Sequence, residues 1–248
     1  EFPDNWKCAK VSPLLKRGDP LEKQNYRPIS NLKAASKVLE IVVQKQLVNH
    51  FEANRLFADQ QHNFRKKHSS MTAVIKIYEK LVNYKGKSDF STMCLYDLSA
   101  GFDTKGKNIL CEKLRKYGCD EISIRWFHSY LTGRKQVVII GGSLSEPVTI
   151  DTGSPQGSVL SPVLFLVLVS GIECWALHST ISSYADDRSS TISKPNINLL
   201  KAVTEEECKF IMNYMSTNDL VANRDKTELL VCRPKKGKNN PTPLHINI

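Results

Sequence analysis

Tyr184-Ala185-Asp186-Asp187 decides how the rest of the chain reads. A short strand leads into it and another leaves it, which puts two adjacent aspartates at a tight turn. Neighbouring carboxylates repel one another, and burial would raise their pKa values. A divalent cation relieves both costs, and hard oxygen ligands suit Mg²⁺. The plainer reading is an exposed Asp-Asp turn, and a second carboxylate cluster weighs against it. Residues 92–97 read as a buried strand that ends at Asp97 and runs on through Leu98-Ser99-Ala100-Gly101-Phe102-Asp103. Asp97 shares a strand face with Met93 and Leu95, a costly place for an unpaired charge, although it could instead cap a following helix. A strand-end Asp97 facing Asp186 and Asp187 would hold two Mg²⁺ ions about 3.5–4 Å apart. That spacing clamps the attacking and leaving oxygens of an in-line phosphoryl transfer.

Between the two clusters lies Gly153-Ser154-Pro155-Gln156-Gly157-Ser158-Val159-Leu160-Ser161-Pro162. Gly, Pro and Ser ahead of an apolar helix make a loop whose backbone can approach a ligand closely, or simply a capped helix start.

Outward from these motifs, helices and strands alternate. Residues 1–30, rich in Pro, Lys and Asn, read as an extended lead-in. A helix follows with Ser30 or Asn31 as its cap and Leu39, Val43, Leu47 and Phe51 along one face. After the basic loop 61–68, Ser69 or Ser70 caps a second amphipathic helix carrying Val74, Tyr78, Leu81 and Val82. Residues 106–131 read as two helices broken at Gly118, 135–140 and 148–150 as a hairpin around Gly141-Gly142, and 158–170 as a helix. A long helix carries Leu200, Val203, Ile211 and Tyr214, and a last strand pair is expected near Leu220 and 228–231. The expected architecture is α+β, an antiparallel sheet packed on helices.

Composition narrows the function. Against 25 Asp+Glu stand 35 Lys+Arg, a net charge of +10 that favours a polyanionic partner. The seven cysteines are scattered, with no C-x-x-C pair, so a disulfide framework and a structural zinc site are both disfavoured. Reduced thiols fit a cytoplasmic or nuclear protein. The most apolar run, 159–169, is broken by Pro162 and is too short to span a bilayer. The opening Glu1-Phe2-Pro3, without an initiator Met, is read as the start of a fragment.

Asp97-Leu98-Ser99-x-x-Phe102-Asp103, then Ser154-Pro155-Gln156-Gly157-Ser158-Val159-Leu160, then Tyr184-Ala185-Asp186-Asp187, resembles in order and wording the reverse transcriptases of non-LTR (LINE-type) retrotransposons. Tyr26-Arg27-Pro28-Ile29-Ser30, Phe64-Arg65 and Asn223-Arg224-Asp225-Lys226-Thr227 extend the likeness over nearly the whole chain. The resemblance implies an RNA-directed DNA polymerase of right-hand fold, with helical fingers at 1–90, a palm at 91–232, and a basic tail at 233–248 leading toward an absent thumb. It implies Asp97, Asp186 and Asp187 as metal-binding catalytic carboxylates, with the Leu98 carbonyl as a further ligand. It implies Phe102 under the incoming sugar, Gln156 and Gly157 beside the nascent base pair, Arg65 near the triphosphate, and Lys226 near the active site. Two Mg²⁺ ions, replaceable by Mn²⁺, an RNA template, a DNA primer and dNTPs follow from the same resemblance, and no membrane does. A non-catalytic nucleic-acid-binding remnant and a group II intron-type reverse transcriptase/maturase are the alternatives. Arg188, directly after the aspartate pair, is unusual for the family, and a cation there would compete with Mg²⁺ for the carboxylates.

Overall fold

The first thirty residues are extended in part: two strands, at 8–15 and 26–31, pair with each other, and short 3-10 helices at 4–6 and 23–25 interrupt the expected lead-in. The computed structural model describes residues 1–63, 65, 67–87, 89–97, 106–184, 187–220, 223 and 226–234. Its strands are β1 (Cys8–Leu15), β2 (Tyr26–Asn31), β3 (Phe90–Asp97), β4 (Arg134–Ile140), β5 (Ser143–Leu144), β6 (Val148–Ile150), β7 (Thr180–Tyr184), β8 (Asp187–Lys194) and β9 (Glu228–Cys232). Its helices are α1 (Ala34–Ala53), α2 (Ser70–Gly86), α3 (Lys107–Lys116), α4 (Glu121–Leu131), α5 (Ser161–Val169) and α6 (Ile197–Thr217). The chain divides into two units, each assembled from two segments: Glu1–Leu56 with Phe102–Leu168, and Phe57–Gly101 with Val169–Ile248.

In the first unit β1 pairs antiparallel with β2 and parallel with β4, while β5 and β6 pair antiparallel with β4. The parallel β1–β4 pair departs from an all-antiparallel expectation. Parallel pairing needs a long crossover, and here a long stretch of intervening chain supplies it. The expected hairpin at Gly141-Gly142 forms, with the short β5 added beside its turn. α1 begins later than a Ser30 or Asn31 cap would place it: both residues belong to β2, and Lys33 precedes the helix without a side-chain cap. Leu47 and Phe51 are buried as expected, whereas Leu39 and Val43 are half-buried. The buried line instead runs through Ser36 and Glu40. α5 is apolar all round and buried almost throughout, as such a helix must be. Phe2 meets Tyr130 edge-on at 5.0 Å, and Trp126 stacks on Tyr130 at 5.5 Å, tying the amino terminus to α4.

The second unit is an antiparallel sheet of order β7-β8-β3-β9. α6 covers the face that carries Thr92, Cys94 and Tyr96: the Thr92 and Thr204 hydroxyls meet at 3.0 Å, and the Tyr96 hydroxyl lies 3.4 Å from the Cys208 thiol. Leu200, Val203, Ile211 and Tyr214 are buried, as their spacing requires. Among the described residues one of the two expected terminal strands, β9, is present. Leu220 is a buried residue just beyond α6. Among the described residues no helix is long and apolar enough to cross a membrane.

α2 corrects a second expectation. Ser69 caps it, through a reciprocal capping box with Thr72, but Val74, Tyr78 and Val82 face outward, 60%, 67% and 46% exposed. Its buried side is centred on the small Ala73. Periodicity identifies a face but not its direction; here the cap fixes Thr72, whose hydroxyl lies 3.0 Å from His62 Nδ1. His62 is 1% exposed, and among the described residues its Nε2 has no partner. Burial, reinforced by Lys76, His68 and Arg65, pushes its pKa down to about 4.

The unfolded chain therefore takes up this proton first, so His62 contributes stability above its unfolded value near 6.5, and that contribution is lost as pH falls toward about 4. Urea unfolding at pH 7 and pH 5 is expected to show a smaller loss of stability in His62→Gln than in the parent; equal losses would remove His62 from the account.

Candidate active site

β3 and β8 run antiparallel over eight register pairs, from Phe90↔Lys194 to Asp97↔Asp187. Directly opposed residues of such a ladder point to the same face, so both carboxylates emerge side by side at one end of the sheet. Tyr184 pairs with Asp187, with Ala185 and Asp186 between them in sequence. Those two, together with Leu98, Phe102 and Asp103, lie outside the described residues. From the β9 side, the Asn223 N–H donates to the Asp97 carbonyl at 2.9 Å. The Lys226 N–H in turn donates to the Asn223 carbonyl, and the Lys226 ammonium lies 3.0 Å from Asp97 Oδ2.

Like charges directly opposite each other destabilise a sheet. Lys226 offsets part of that repulsion, but its side chain is 54% exposed, so the pair contributes about 1 kcal/mol at most. Paired carboxylates at a partly open strand end suit a hard divalent ion, and the observed residues fit one. Among the described residues no three potential ligands cluster, so Asp97 and Asp187 are the part of the expected set that is visible. Arg188 does not compete for them. Alternation turns it to the opposite face of β8, where it is 2% exposed and donates through Nη1 to Ser183 Oγ at 2.9 Å. Burial pushes its pKa down.

Gln156 and Gly157 belong to the first unit, where the loop is held from two sides. The Ser30 N–H donates to the Gln156 carbonyl at 2.7 Å. Gly157 has φ +112°, and a Cβ there would sit 2.7 Å from the Ser30 carbonyl oxygen, so only glycine fits. Beneath the loop, Glu40 is fully buried. Its Oε2 accepts from Ser158 Oγ at 2.6 Å and from the Val159 N–H at 2.9 Å, and its Oε1 accepts from Ser36 Oγ at 2.9 Å. An ionised carboxylate accepts only, and here its lone pairs collect donors that would otherwise be orphaned ahead of α5.

The family described as reverse transcriptase (RNA-dependent DNA polymerase) matches residues 14–243. The chain belongs to that family. It is similar to the probable RNA-directed DNA polymerase from transposon BS of Drosophila melanogaster, 30% identical over 200 residues that make up 75% of this chain and 21% of that one. It is also similar to the corresponding protein from transposon X-element of the same fly, 29% identical over 66% of this chain and 18% of that one. The chain thus spans about a fifth of the length of these relatives. Apo telomerase from Candida tropicalis, truncated from its C-terminal domain, superposes with a TM-score of 0.64 at 14% identity, over 96% of this chain and 52% of that one. That likeness speaks for the fold, the α+β right-hand polymerase fold expected from the motifs.

In this reverse transcriptase chain Arg65 is already engaged. Its Nη1 donates to the Ala58 carbonyl at 2.7 Å, and its guanidinium lies 5.6 Å from the Phe57 ring centre. Sequence reasoning did not single out Glu40, although a lone acid on the buried line of α1 was a usable signal. Glu207 was missed in the same way: buried on α6, it accepts from the backbone N–H groups of Leu177 and His178 and from Ser179 Oγ, clamping the segment that leads into β7.

Gly157→Ala is expected to cost about 2 kcal/mol or more, because left-handed strain and a carbonyl clash add; an unchanged denaturation midpoint would contradict the close approach to Ser30. Lys226→Met removes the cation beside Asp97. It should lower the melting temperature in chelator and enlarge the rise produced by millimolar Mg²⁺. A rise equal to the parent's would show that Lys226 does not offset the charge a metal would meet.

Proposed function

We propose that this chain is the fingers (1–90) and palm (91–232) of an RNA-directed DNA polymerase that adds dNTPs to a primer 3′-hydroxyl on an RNA template. The observation that carries this reading is Asp97 opposite Asp187 in the β3–β8 register, with Asp186 next to Asp187 in sequence. Membership of the reverse transcriptase family and the names of the transposon relatives support it. A telomerase of the same fold has been solved with a fragment of telomeric RNA, which agrees with RNA as the template.

Asp97, Asp186, Asp187 and the Leu98 carbonyl would hold Mg²⁺, with Mn²⁺ as a substitute. When bound, the ions supply Lewis-acid stabilisation of the attacking hydroxyl and of the triphosphate. The remaining roles fall to side chains and backbone. Asp97 is anchored at its carbonyl by Asn223 and at its carboxylate by Lys226, so its oxygens are pre-oriented. Gln156 and Gly157, whose loop is held against Ser30, would lie beside the nascent base pair. Arg65 would turn its fork from the Ala58 carbonyl toward the triphosphate. Phe102 would pack under the deoxyribose and exclude a 2′-hydroxyl. The net charge of +10 favours the duplex's phosphates.

Primer extension on an RNA template with Mg²⁺ and dNTPs tests the reading. Asp97→Asn and Asp187→Asn should each reduce extension by on the order of 10³-fold, as loss of transition-state charge stabilisation does elsewhere. Extension that survives both substitutions would overturn the assignment of the carboxylate pair. Saturable RNA binding without extension in the parent would point to a non-catalytic nucleic-acid-binding remnant.

A further inference from the structure

β7 stands at one end of the sheet β7-β8-β3-β9, so its outer N–H and C=O groups need partners from outside the sheet. At Ser183 the segment 60–62 supplies them. The Ser183 N–H donates to the Gln60 carbonyl at 3.1 Å, and the His62 N–H donates to the Ser183 carbonyl at 3.0 Å, a parallel bridge centred on Gln61. The Ser183 hydroxyl accepts from Arg188 Nη1 at 2.9 Å. Every polar group of this fully buried serine is thus engaged, one residue before Tyr184 and directly across the ladder from the neighbour of Asp187.

The same segment leads to Arg65. Arg65 Nη1 donates to the Ala58 carbonyl at 2.7 Å and approaches the Gln61 carbonyl at 3.4 Å. Gln61 therefore lies between the β7 edge and the guanidinium, and a slide of the segment along β7 would carry Arg65 with it. One bridge resists such a slide weakly. The His62 side chain adds the second hold, because its Nδ1 lies 3.0 Å from Thr72 Oγ1 in the cap of α2.

The direction of that hydrogen bond follows from the cap. Thr72 Oγ1 lies 2.8 Å from the Ser69 carbonyl oxygen, and two oxygens so close repel unless a proton sits between them. The threonine's one proton is therefore spent on Ser69, and the hydroxyl also accepts from the Ser69 N–H at 2.9 Å. Toward His62 it can only accept, so Nδ1 carries the proton. Burial holds the His62 pKa down to about 4, so at pH 7 the ring is neutral and Nε2 is a bare acceptor.

We propose that His62, as its Nδ1–H tautomer, is a positioning residue that pins the segment 60–62 between the α2 cap and the β7 edge, and so sets the place of Arg65 relative to Asp187. The use of that placement, a dNTP triphosphate held by Arg65 beside the carboxylates, rests on the function proposed above; the pinning itself does not.

The test uses the full 248-residue chain and two pairs of variants. His62→Asn keeps an N–H near the place of Nδ1, whereas His62→Phe keeps only a ring; Thr72→Ser keeps the hydroxyl, whereas Thr72→Val removes it. Nitrogen-15 NMR of the parent imidazole at pH 7 should show a protonated Nδ1 and a bare Nε2. The opposite tautomer would overturn the proposal. Amide hydrogen exchange at Ser183 and His62 should quicken about tenfold or more in His62→Phe and Thr72→Val, and return toward the parent in His62→Asn and Thr72→Ser. Exchange unchanged in the first pair would overturn the pinning, and Thr72→Val keeps that arm decisive if His62→Phe does not fold. In primer extension, the KM for dNTP should rise about fivefold or more in Thr72→Val with kcat changed less, since a displaced Arg65 weakens triphosphate binding. A fall in kcat at constant KM would mark a merely structural contact and overturn the positioning role. A parent that extends no primer would count against the proposed function, while the tautomer and the exchange at Ser183 would still decide the pinning.

Discussion

Antiparallel pairing of β3 with β8 brings Asp97 opposite Asp187, and the sheet keeps that register only if their repulsion is offset or slippage costs more. Slippage does cost more. A shift of one residue would turn Thr92, Cys94 and Tyr96 away from α6 and expose them, because strand side chains alternate strictly. The register is thus set by apolar and hydroxyl packing on one face, and the electrostatic strain appears on the other. The chain meets that strain with Lys226, whose N–H donates to the carbonyl of Asn223, which itself donates to the Asp97 carbonyl. A half-exposed lysine offsets only part of the repulsion between two carboxylates. On the proposed function, a hard divalent cation at the strand ends would meet the remainder.

Two buried glutamates follow the opposite logic. Glu40 and Glu207 each sit fully buried on a helix, where an unpaired charge would be prohibitive. Each is saturated by hydroxyl and backbone N–H donors from a segment distant in sequence. Such a carboxylate does more than cap. It converts a flexible Gly/Pro/Ser stretch into a fixed one, since any other loop conformation strands the acid without partners at a cost of several kcal/mol. In the first unit this fixes the approach to α5 just after Gln156 and Gly157. In the second it fixes the lead-in to β7, and through β7 the hairpin that carries Asp187.

The parts of this arrangement that were legible in the sequence are those set by local periodicity and turn chemistry. α6 shows its buried stripe at Leu200, Val203, Ile211 and Tyr214, and Gly118, at φ +85°, separates α3 from α4 where a left-handed residue was required. The β7–β8 hairpin and the strand ending at Asp97 follow from short apolar runs bracketing acidic turns. What was not legible depends on distant partners. The outward face of α2 carries as regular an apolar pattern as a buried face, and only its cap and the His62 contact decide its direction. The pairing of β1 with β4, the role of Glu40 and the settlement of Arg188 away from the carboxylates all rest on neighbours far along the chain.

Arg134 and Arg188 show how differently a buried guanidinium can be accommodated. Both are almost wholly buried, and both leave two nitrogens without partners among the described residues. Arg188 hydrogen-bonds Ser183 across the ladder, opposite the buried Tyr96, within the covered face of the sheet. Burial pushes its pKa down, opposed by Glu173 and Tyr214. Among the described residues one neutral hydrogen bond, to Ser183, offsets its desolvation. Arg134 is held by the Tyr130 carbonyl and by the Tyr130 and Phe2 rings. There cation–π attraction, stronger where water is excluded, offsets part of the desolvation cost. The same cost is thus met by one neutral hydrogen bond at Arg188 and by ring faces and a carbonyl at Arg134.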